Sequence, residues 1–149
     1  MGDYMVKLEE ITTKNIEDIL SLQVSVHQEK YVSSTAHSLA QAYVYRKTAF
    51  PFAIYADKTL VGFIMFGYYE SKKQYTLWKF LIDKQYQNKG YGRDALNQGI
   101  AYLKEKCSVK EIFTGVSLGN HQAKHLYKSV CFAETGIVED NMEEMRYVC

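Results

Sequence analysis

Apolar residues recur along the chain either in the alternating pattern of a strand or at the longer spacing of a helix. The positions of these two patterns predict the order of strands and helices. Val6 and Leu8 alternate with polar neighbours, as in a half-buried strand. Segments 12–28 and 33–48 follow with apolar residues at helical spacing, which predicts two helices. Two β-rich runs then flank the turn residues 56–59, which favours a hairpin. The first part of the chain therefore reads β-α-α-β-β.

The second part of the chain continues this pattern. It predicts a strand at 74–83, a helix at 90–107, a strand at 109–117, a short helix at 120–130 and two closing strands around Asp140-Asn141. The complete order is β-α-α-β-β-β-α-β-α-β-β, an α/β chain of α+β character. Its central βαβ elements predict a mixed sheet with helices on both faces. No linker or repeat divides it, so we expect a single domain over 1–149.

Composition narrows the classes of partner. The 149 residues carry a net charge of +1 with scattered lysines, so we expect no nucleic-acid partner. No apolar run approaches the roughly 20 residues of a membrane span, so we expect no membrane partner. Cys107, Cys131 and Cys149 form no CxxC pair, so neither a metal site nor a redox pair is expected. We expect a cytoplasmic protein, since no secretory signal opens the sequence.

The loop 87–92, QNKGYG, lies between a predicted strand and a predicted helix. Glycine permits positive φ and a close ligand approach, and the helix that follows has free N–H groups that attract an anion. A pyrophosphate would fit there, with Lys89 and Arg93 adding positive charge. A plain tight turn into a helix remains the simpler interpretation of two glycines alone.

Two other nucleotide-binding motifs fit the loop poorly. The P-loop pattern is absent. The dinucleotide pattern is matched loosely by GYGRDA, but its glycines come six residues after the strand ends at Asp83. The next strand, 111–117, also ends without an acid to hold a ribose hydroxyl. Both motifs are therefore disfavoured.

The loop resembles the Q-x-x-G-x-G motif with which GNAT acetyltransferases bind the pyrophosphate of acetyl-CoA. A second segment, NHQAKHLYKSVCF, resembles that family's N-x-x-A-x-x-x-Y-x-x-x-G-F, with Asn120, Ala123, Tyr127 and Phe132 in register. Cys131 stands where the family usually has glycine, which puts the local turn in question. The predicted element order also matches the GNAT order over nearly the whole chain.

The resemblance implies acetyl-CoA as cosubstrate and a fourth and fifth strand that splay apart to admit it. Pantetheine would pair with the backbone of the fourth strand, the pyrophosphate would lie on the glycine loop, and Asn120 would touch the pantetheine. The implied cofactor contacts are Phe80, Leu81, Ile82, Gln87, Asn88, Lys89, Gly90, Tyr91, Gly92, Arg93, Asn120 and Tyr127. No metal is implied.

The implied chemistry is acetyl transfer to a primary amine by direct attack in a ternary complex. Only about one amine in 10³ is free base at pH 7, equivalent to ~4.6 kcal/mol, so a base is useful. The resemblance makes Tyr127 the general acid for the leaving thiolate and the Ile82 N–H an oxyanion donor. Asp83 is the candidate base, acting through water, although a carboxylate that caps a loop is equally consistent with its position.

The acceptor implied by a narrower resemblance is a polyamine. The patterns Q-x-x-Y-V-x-S and LW+F-ID+-YQ-KGYG look like bacterial spermine/spermidine acetyltransferases. A polycation favours carboxylates and aromatic faces. The candidate acceptor contacts are Glu29, Tyr31, Tyr43 and Glu70, with Glu139 and Glu143 as further acids.

Two other classes of function stay open. The acceptor could be another amine, such as an aminoglycoside, an amino acid or a protein N-terminus, or the chain could be a non-catalytic acetyl-CoA-binding module. His121 and His125 lie four apart on one helix face, but no third metal ligand is evident. The hydrophobic segment 145–149 is predicted to be an edge strand that could pair in a homodimer.

Overall fold

The protein is described here by a computed structural model that covers residues 5–31 and 34–148. The strands of this part of the chain form one seven-stranded sheet in the order β1-β2-β3-β4-β5-β7-β6. They are β1 Val6–Glu9, β2 Ala49–Ala56, β3 Thr59–Tyr69, β4 Gln74–Ile82, β5 Glu111–Ser117, β6 Ala133–Glu139 and β7 Met142–Val148. The helices are α1 Ile16–Leu20, α2 Thr35–Val44, α3 Tyr91–Cys107 and α4 His121–Ser129, with 3-10 helices at Val26–Tyr31 and Lys84–Tyr86. The predicted element order is confirmed.

Both faces of the sheet are covered, which explains the nearly continuous apolar run of β3. Successive side chains of a strand point to opposite faces. Phe63 and Met65 pack with Ile19 beneath α1 and α2, whereas Ile64 and Phe66 pack beneath α3 and α4. A strand buried on both sides carries no polar alternation. The sequence pattern and the layered architecture therefore agree.

The first predicted helix, 12–28, is wrong in extent. It ends at Leu20, where the Ser21 N–H turns back to the Asp18 carbonyl at 3.1 Å. The backbone of Gln23 instead makes two tertiary hydrogen bonds. Its N–H donates to Asp83 Oδ2 at 3.0 Å, and its carbonyl accepts the Lys84 N–H at 2.7 Å. These tertiary bonds replace further helical turns, and the chain resumes as the 3-10 helix Val26–Tyr31.

The C-terminal strand is not an edge strand, which corrects the prediction for 145–149. Residues 142–148 form β7, which lies between β5 and β6, and Cys149 lies outside the described residues. The edge at this end is β6, whose register shifts between Glu134 and Val138. The predicted turn at Asp140-Asn141 is confirmed, and both residues have positive φ.

Candidate active site

An opening in the sheet separates β4 from β5. These parallel strands pair only at Thr76 with Phe113 and at Leu77 with Thr114. The Thr114 hydroxyl donates to the Leu77 carbonyl at 3.3 Å and reinforces this last rung. The register of β4 on β3 shifts just beyond it, which leaves Trp78 as an extra residue in β4. The bulge directs the rest of β4 away from β5.

The backbone of β4 beyond the bulge offers hydrogen-bonding groups to the opening. The Asp83 N–H donates to Val61 of β3 at 2.8 Å. Because backbone groups alternate in direction along a strand, Leu81 also faces β3, while Phe80 and Ile82 face the open edge. This corrects the expectation that the Leu81 backbone is available to a ligand. The Ile82 N–H therefore faces the opening, and its role as an oxyanion donor stays a prediction.

The glycine loop takes the conformation that its sequence favours. Asn88 has φ 63° and Gly90, the N-cap of α3, has φ 87°. No side chain caps the first N–H groups of this helix among the described residues. These donors and the nearby Arg93 side chain suit a bound anion such as a pyrophosphate. The loop therefore fits the group that the sequence predicted for it.

A cavity of about 500 Å³ fills the opening and is lined from both faces of the sheet. Of the predicted cofactor contacts, all but Lys89, which is exposed, line it. Asn120 lines the cavity and also caps α4, because its side-chain oxygen accepts the Ala123 N–H at 3.3 Å. Gly92 lets α3 approach β4, since a Cβ there would lie 3.1 Å from the Phe80 ring.

Tyr127 of α4 is the buried phenol of this cavity. Its ring lies 6.4 Å from that of Phe80 and 5.8 Å from that of Phe132, measured between centroids. Burial raises the pKa of Tyr127 to about 12, and a side-chain hydrogen bond with Thr114 opposes that rise. The phenol is therefore protonated at neutral pH, and its role as the general acid stays a prediction.

The turn after α4 holds Tyr127 through its backbone as well. The Phe132 N–H donates to the Tyr127 carbonyl at 3.0 Å, and the Cys131 N–H donates to the Lys128 carbonyl at 3.1 Å. This is the Schellman pattern, which needs a left-handed residue. Cys131 supplies it with φ 76°. The substitution for glycine therefore preserves the turn.

A model of the acetyltransferase (GNAT) family matches residues 16–131. The chain belongs to the GNAT acetyltransferase family. It is 33% identical to a probable spermine N(1)-acetyltransferase of Bacillus subtilis subsp. natto (strain BEST195), over 94% of this chain and 95% of that protein. It is 32% identical, with the same coverage, to the spermine/spermidine N(1)-acetyltransferase of Bacillus subtilis (strain 168).

Solved structures share the GNAT fold. A spermidine N-acetyltransferase from Vibrio cholerae, in complex with CoA and spermine, superposes with a TM-score of 0.73 at 18% identity, over 95% of this chain and 92% of that one. An N-acetyltransferase from Thermoplasma acidophilum, in complex with coenzyme A, superposes with a TM-score of 0.75 at 16% identity, over 97% of this chain and 99% of that one.

Within residues 5–31 and 34–148, no helix is long and apolar enough to cross a membrane.

Asp83 is placed differently from the other predicted catalytic residues. Its carboxylate accepts the Gln23 N–H at Oδ2 and the Gln85 N–H at Oδ1, each at 3.0 Å. Asp83 is buried and is not part of the cavity lining. Its role as a base stays a prediction, and both carboxylate oxygens already have structural partners.

The predicted acceptor residues are not brought together. Tyr31 lines the cavity, whereas Glu29, Tyr43 and Glu70 are exposed and do not. Tyr43 instead lies beneath the Arg46 guanidinium, 5.0 Å from its ring centroid. The two further acids are paired with lysines: Glu143 with Lys124 at 2.9 Å and Glu139 with Lys72 at 3.7 Å. Within the described residues, no carboxylate lines this GNAT cavity.

Sequence reasoning missed several cavity residues. Trp78 and Lys79 lie beside each other at the bulge on the α1/α2 face, and burial lowers the pKa of Lys79. The side-chain amide of Gln28 bonds both to the predicted Gln87 and to Gln122. The register shift at Trp78 and the bond between Gln28 and Gln122, which are 94 positions apart, cannot be recognised from neighbouring residues in the sequence. Among the described residues, no group of three metal-ligating side chains occurs, at the two histidines of α4 or elsewhere.

Proposed function

We propose that this GNAT acetyltransferase moves an acetyl group to a primary amine of spermine or spermidine, by direct attack in a ternary complex. One observation carries the proposal: a single cavity is lined both by the glycine loop and by the segment of Tyr31, from opposite faces of the sheet. Direct transfer needs both substrates at one opening. The polyamine acceptor is supported by the names of the two Bacillus relatives.

Acetyl-CoA is the cosubstrate that suits this cavity, and it supplies the acetyl group as an activated thioester. The loop from Gln87 to Arg93 and the N-terminus of α3 would hold its pyrophosphate. The open-edge groups of Phe80 would pair with its extended amide-bearing arm, beside Asn120. Both of the solved structures named above contain CoA, which supports the assignment.

Three groups of the chain would carry the chemistry. The Ile82 N–H would stabilise the negative oxygen that forms when the amine attacks. The protonated Tyr127 hydroxyl would give its proton to the sulfur that leaves. The apolar side chains of Phe63, Trp78 and Leu81 would favour the neutral amine over the ammonium, because burial disfavours charge. Asp83 would act as a base only through water.

Another amine acceptor is a second candidate. Because no carboxylate of the described residues lines the cavity, it offers no direct partner to several positive charges. That lining suits an amine whose remaining charges stay outside the cavity. Tyr31 is the predicted acceptor residue that would contact either kind of substrate.

The test is release of free thiol from acetyl-CoA with spermine, spermidine, putrescine, lysine and an aminoglycoside. Saturable turnover with preference for spermine or spermidine would support the proposal. Turnover of another amine in their place would discard the polyamine acceptor and keep the acetyl transfer. Binding of acetyl-CoA without turnover of any amine would favour the binding-module hypothesis.

We also propose that the enzyme is located in the cytoplasm. The thiols of Cys107 and Cys131 are both free, which fits a reducing compartment. A homodimer stays a prediction, and its strand-pairing edge would be β6 instead of β7. Measurement of the mass in solution decides between monomer and dimer.

A further inference from the structure

The side-chain amide of Gln28 joins three separate elements across the mouth of the cavity. Its Nε2 donates to Gln87 Oε1 at 3.2 Å and to Gln122 Oε1 at 2.9 Å. Its Oε1 accepts from Gln87 Nε2 at 3.0 Å and from the Ser25 N–H at 3.2 Å. Gln28 thus links the 3-10 helix Val26–Tyr31 to the start of the glycine loop and to the first turn of α4.

A hydrogen bond to the backbone fixes the orientation of these amides, that is, which end carries the oxygen and which the nitrogen. Gln87 Nε2 also donates to the Ile82 carbonyl at 2.8 Å. One hydrogen of that amide is therefore used on Ile82 and the other on Gln28. Gln87 Oε1 must then accept, so Gln28 Nε2 is the donor that faces both Gln87 and Gln122. The position of Gln28 consequently depends on the position of the glycine loop.

The same short helix carries the predicted acceptor contact. Tyr31 lies three residues after Gln28, lines the cavity, and extends its hydroxyl toward Gly119, where an added Cβ would be 3.6 Å away. The preceding chain is held by the bonds of Gln23 to Asp83 and Lys84. The helix is thus anchored to the end of β4 on one side and to the glycine loop, through Gln28, on the other.

We propose that Gln28 is a positioning residue that couples the cofactor loop to the acceptor side of the cavity. Ordering of the loop by CoA fixes Gln87, Gln87 fixes Gln28, and Gln28 fixes the helix that carries Tyr31. Because coupling between two binding sites is reciprocal, each substrate strengthens the binding of the other. This inference rests on the proposed function for the choice of acceptor.

The first test compares CoA binding with and without saturating spermine by titration calorimetry. Wild-type protein is expected to bind CoA more tightly with spermine, by about tenfold. Gln28→Ala and Gln28→Glu should reduce that factor to about one while changing the affinity for CoA alone by less than about threefold. Gln28→Glu keeps both acceptor bonds and loses both donor bonds, so it isolates the links to Gln87 Oε1 and Gln122. Gln85→Ala, an exposed neighbour outside the lining, is the matched control and should retain the wild-type factor.

The second test does not depend on the acceptor. Hydrogen exchange of the amides of residues 26–31 is followed with and without CoA. CoA should slow this exchange in the wild type and in Gln85→Ala, and leave it unchanged in Gln28→Ala. The proposal would be overturned if CoA slowed hydrogen exchange as much in Gln28→Ala as in the wild type. It would also be overturned if spermine tightened CoA binding as much in Gln28→Ala as in the wild type. If thiol release shows a different amine to be the substrate, the polyamine assignment fails, and the calorimetric cycle run with that amine still decides the role of Gln28.

Discussion

The carboxylate of Asp83 accepts the backbone N–H of Gln23 at 3.0 Å, although the two residues are 60 positions apart. Its other oxygen accepts the Gln85 N–H and starts the 3-10 helix Lys84–Tyr86. Both bonds are partly buried, and an N–H left unpaired there is costly. Asp83 therefore connects the segment after α1 to the end of β4, immediately beside the candidate active site.

Asp83→Asn tests whether this residue is an anchor or a base. The amide retains one acceptor oxygen and places an NH₂ group against a backbone donor, so we expect a loss of about 1–3 kcal/mol in the free energy of unfolding. Denaturant unfolding measures this loss, and kcat should stay within about threefold of the wild type. A fall in kcat of about 10² or more with unchanged stability would instead identify a base.

Tyr127→Phe tests the proton donor. The substitution removes the hydroxyl and keeps the ring that packs on Phe80 and Phe132. Loss of general acid catalysis should lower kcat by about 10²-fold, while the Kd for CoA stays near the wild-type value. Stopped-assay thiol release and calorimetry measure the two quantities. An unchanged kcat would remove Tyr127 from the chemistry.

Tyr127 also predicts a loss of stability at high pH. The folded state raises its pKa from 10.0 to about 12, so the native protein holds the phenol proton more tightly than the unfolded chain does. The corresponding stability is complete below pH 10 and is lost as the pH rises from 10 to 12. Two pKa units amount to about 3 kcal/mol. Unfolding titrations of wild type and Tyr127→Phe should diverge over this range, and parallel curves would contradict the assignment.

Gly90→Ala tests the cofactor loop. Its φ of 87° is unfavourable for a residue with a Cβ, and the substitution should cost about 1–2 kcal/mol. The added methyl group also lies where a phosphate would approach the backbone, so the Kd for CoA should rise by about tenfold or more. Gly136→Ala is the control, since it has a similar φ of 89° on the edge strand β6, outside the cavity. It should lose stability and bind CoA normally.

Cys131→Gly should stabilise the protein. Cys131 occupies the left-handed position of the turn after α4 at φ 76°, where glycine carries no Cβ penalty. We expect a gain of about 1 kcal/mol in the free energy of unfolding. Cys131→Ala removes the thiol and keeps the Cβ, so its melting temperature should stay at the wild-type value. An equal gain in both variants would mean that the thiol, and not the backbone, limits stability.

The fold was predictable because its signals are local. The hairpin turn at Asp57-Lys58, the Ser34 cap of α2 and the Asn120 cap of α4 each depend on residues a few positions apart. The extent of α1 was not predictable in this way. The backbone of Gln23 bonds to Asp83 and Lys84, which are distant in sequence, and these bonds end the helical pattern.

The cofactor side of the site was easier to predict than the acceptor side. The glycine loop and the segment from Asn120 to Phe132 are continuous, so their resemblance to the family's motifs can be seen in the sequence. The acceptor side combines Tyr31, Trp78, Lys79 and Gln122 from three different elements, and a register shift in β4 decides which face Lys79 joins. Charge alone indicated Glu29 and Glu70, but a carboxylate in the sequence carries no information on whether it faces a cavity.

The junction of β4 and β5, which pair at two positions, also divides the sheet into two blocks of strands. Strands β1–β4 form one antiparallel block and β5–β7 form another, and only the rungs at Thr76 and Leu77 continue the hydrogen-bond ladder from one block to the other. The α3 helix connects the two blocks along the chain and packs Leu96 and Leu103 into the core that they share. Such a seam is where one block can open without unfolding of the other. A molecule bound in the gap would take the place of a missing strand, so its binding should strengthen the link between the two blocks and make them unfold more cooperatively.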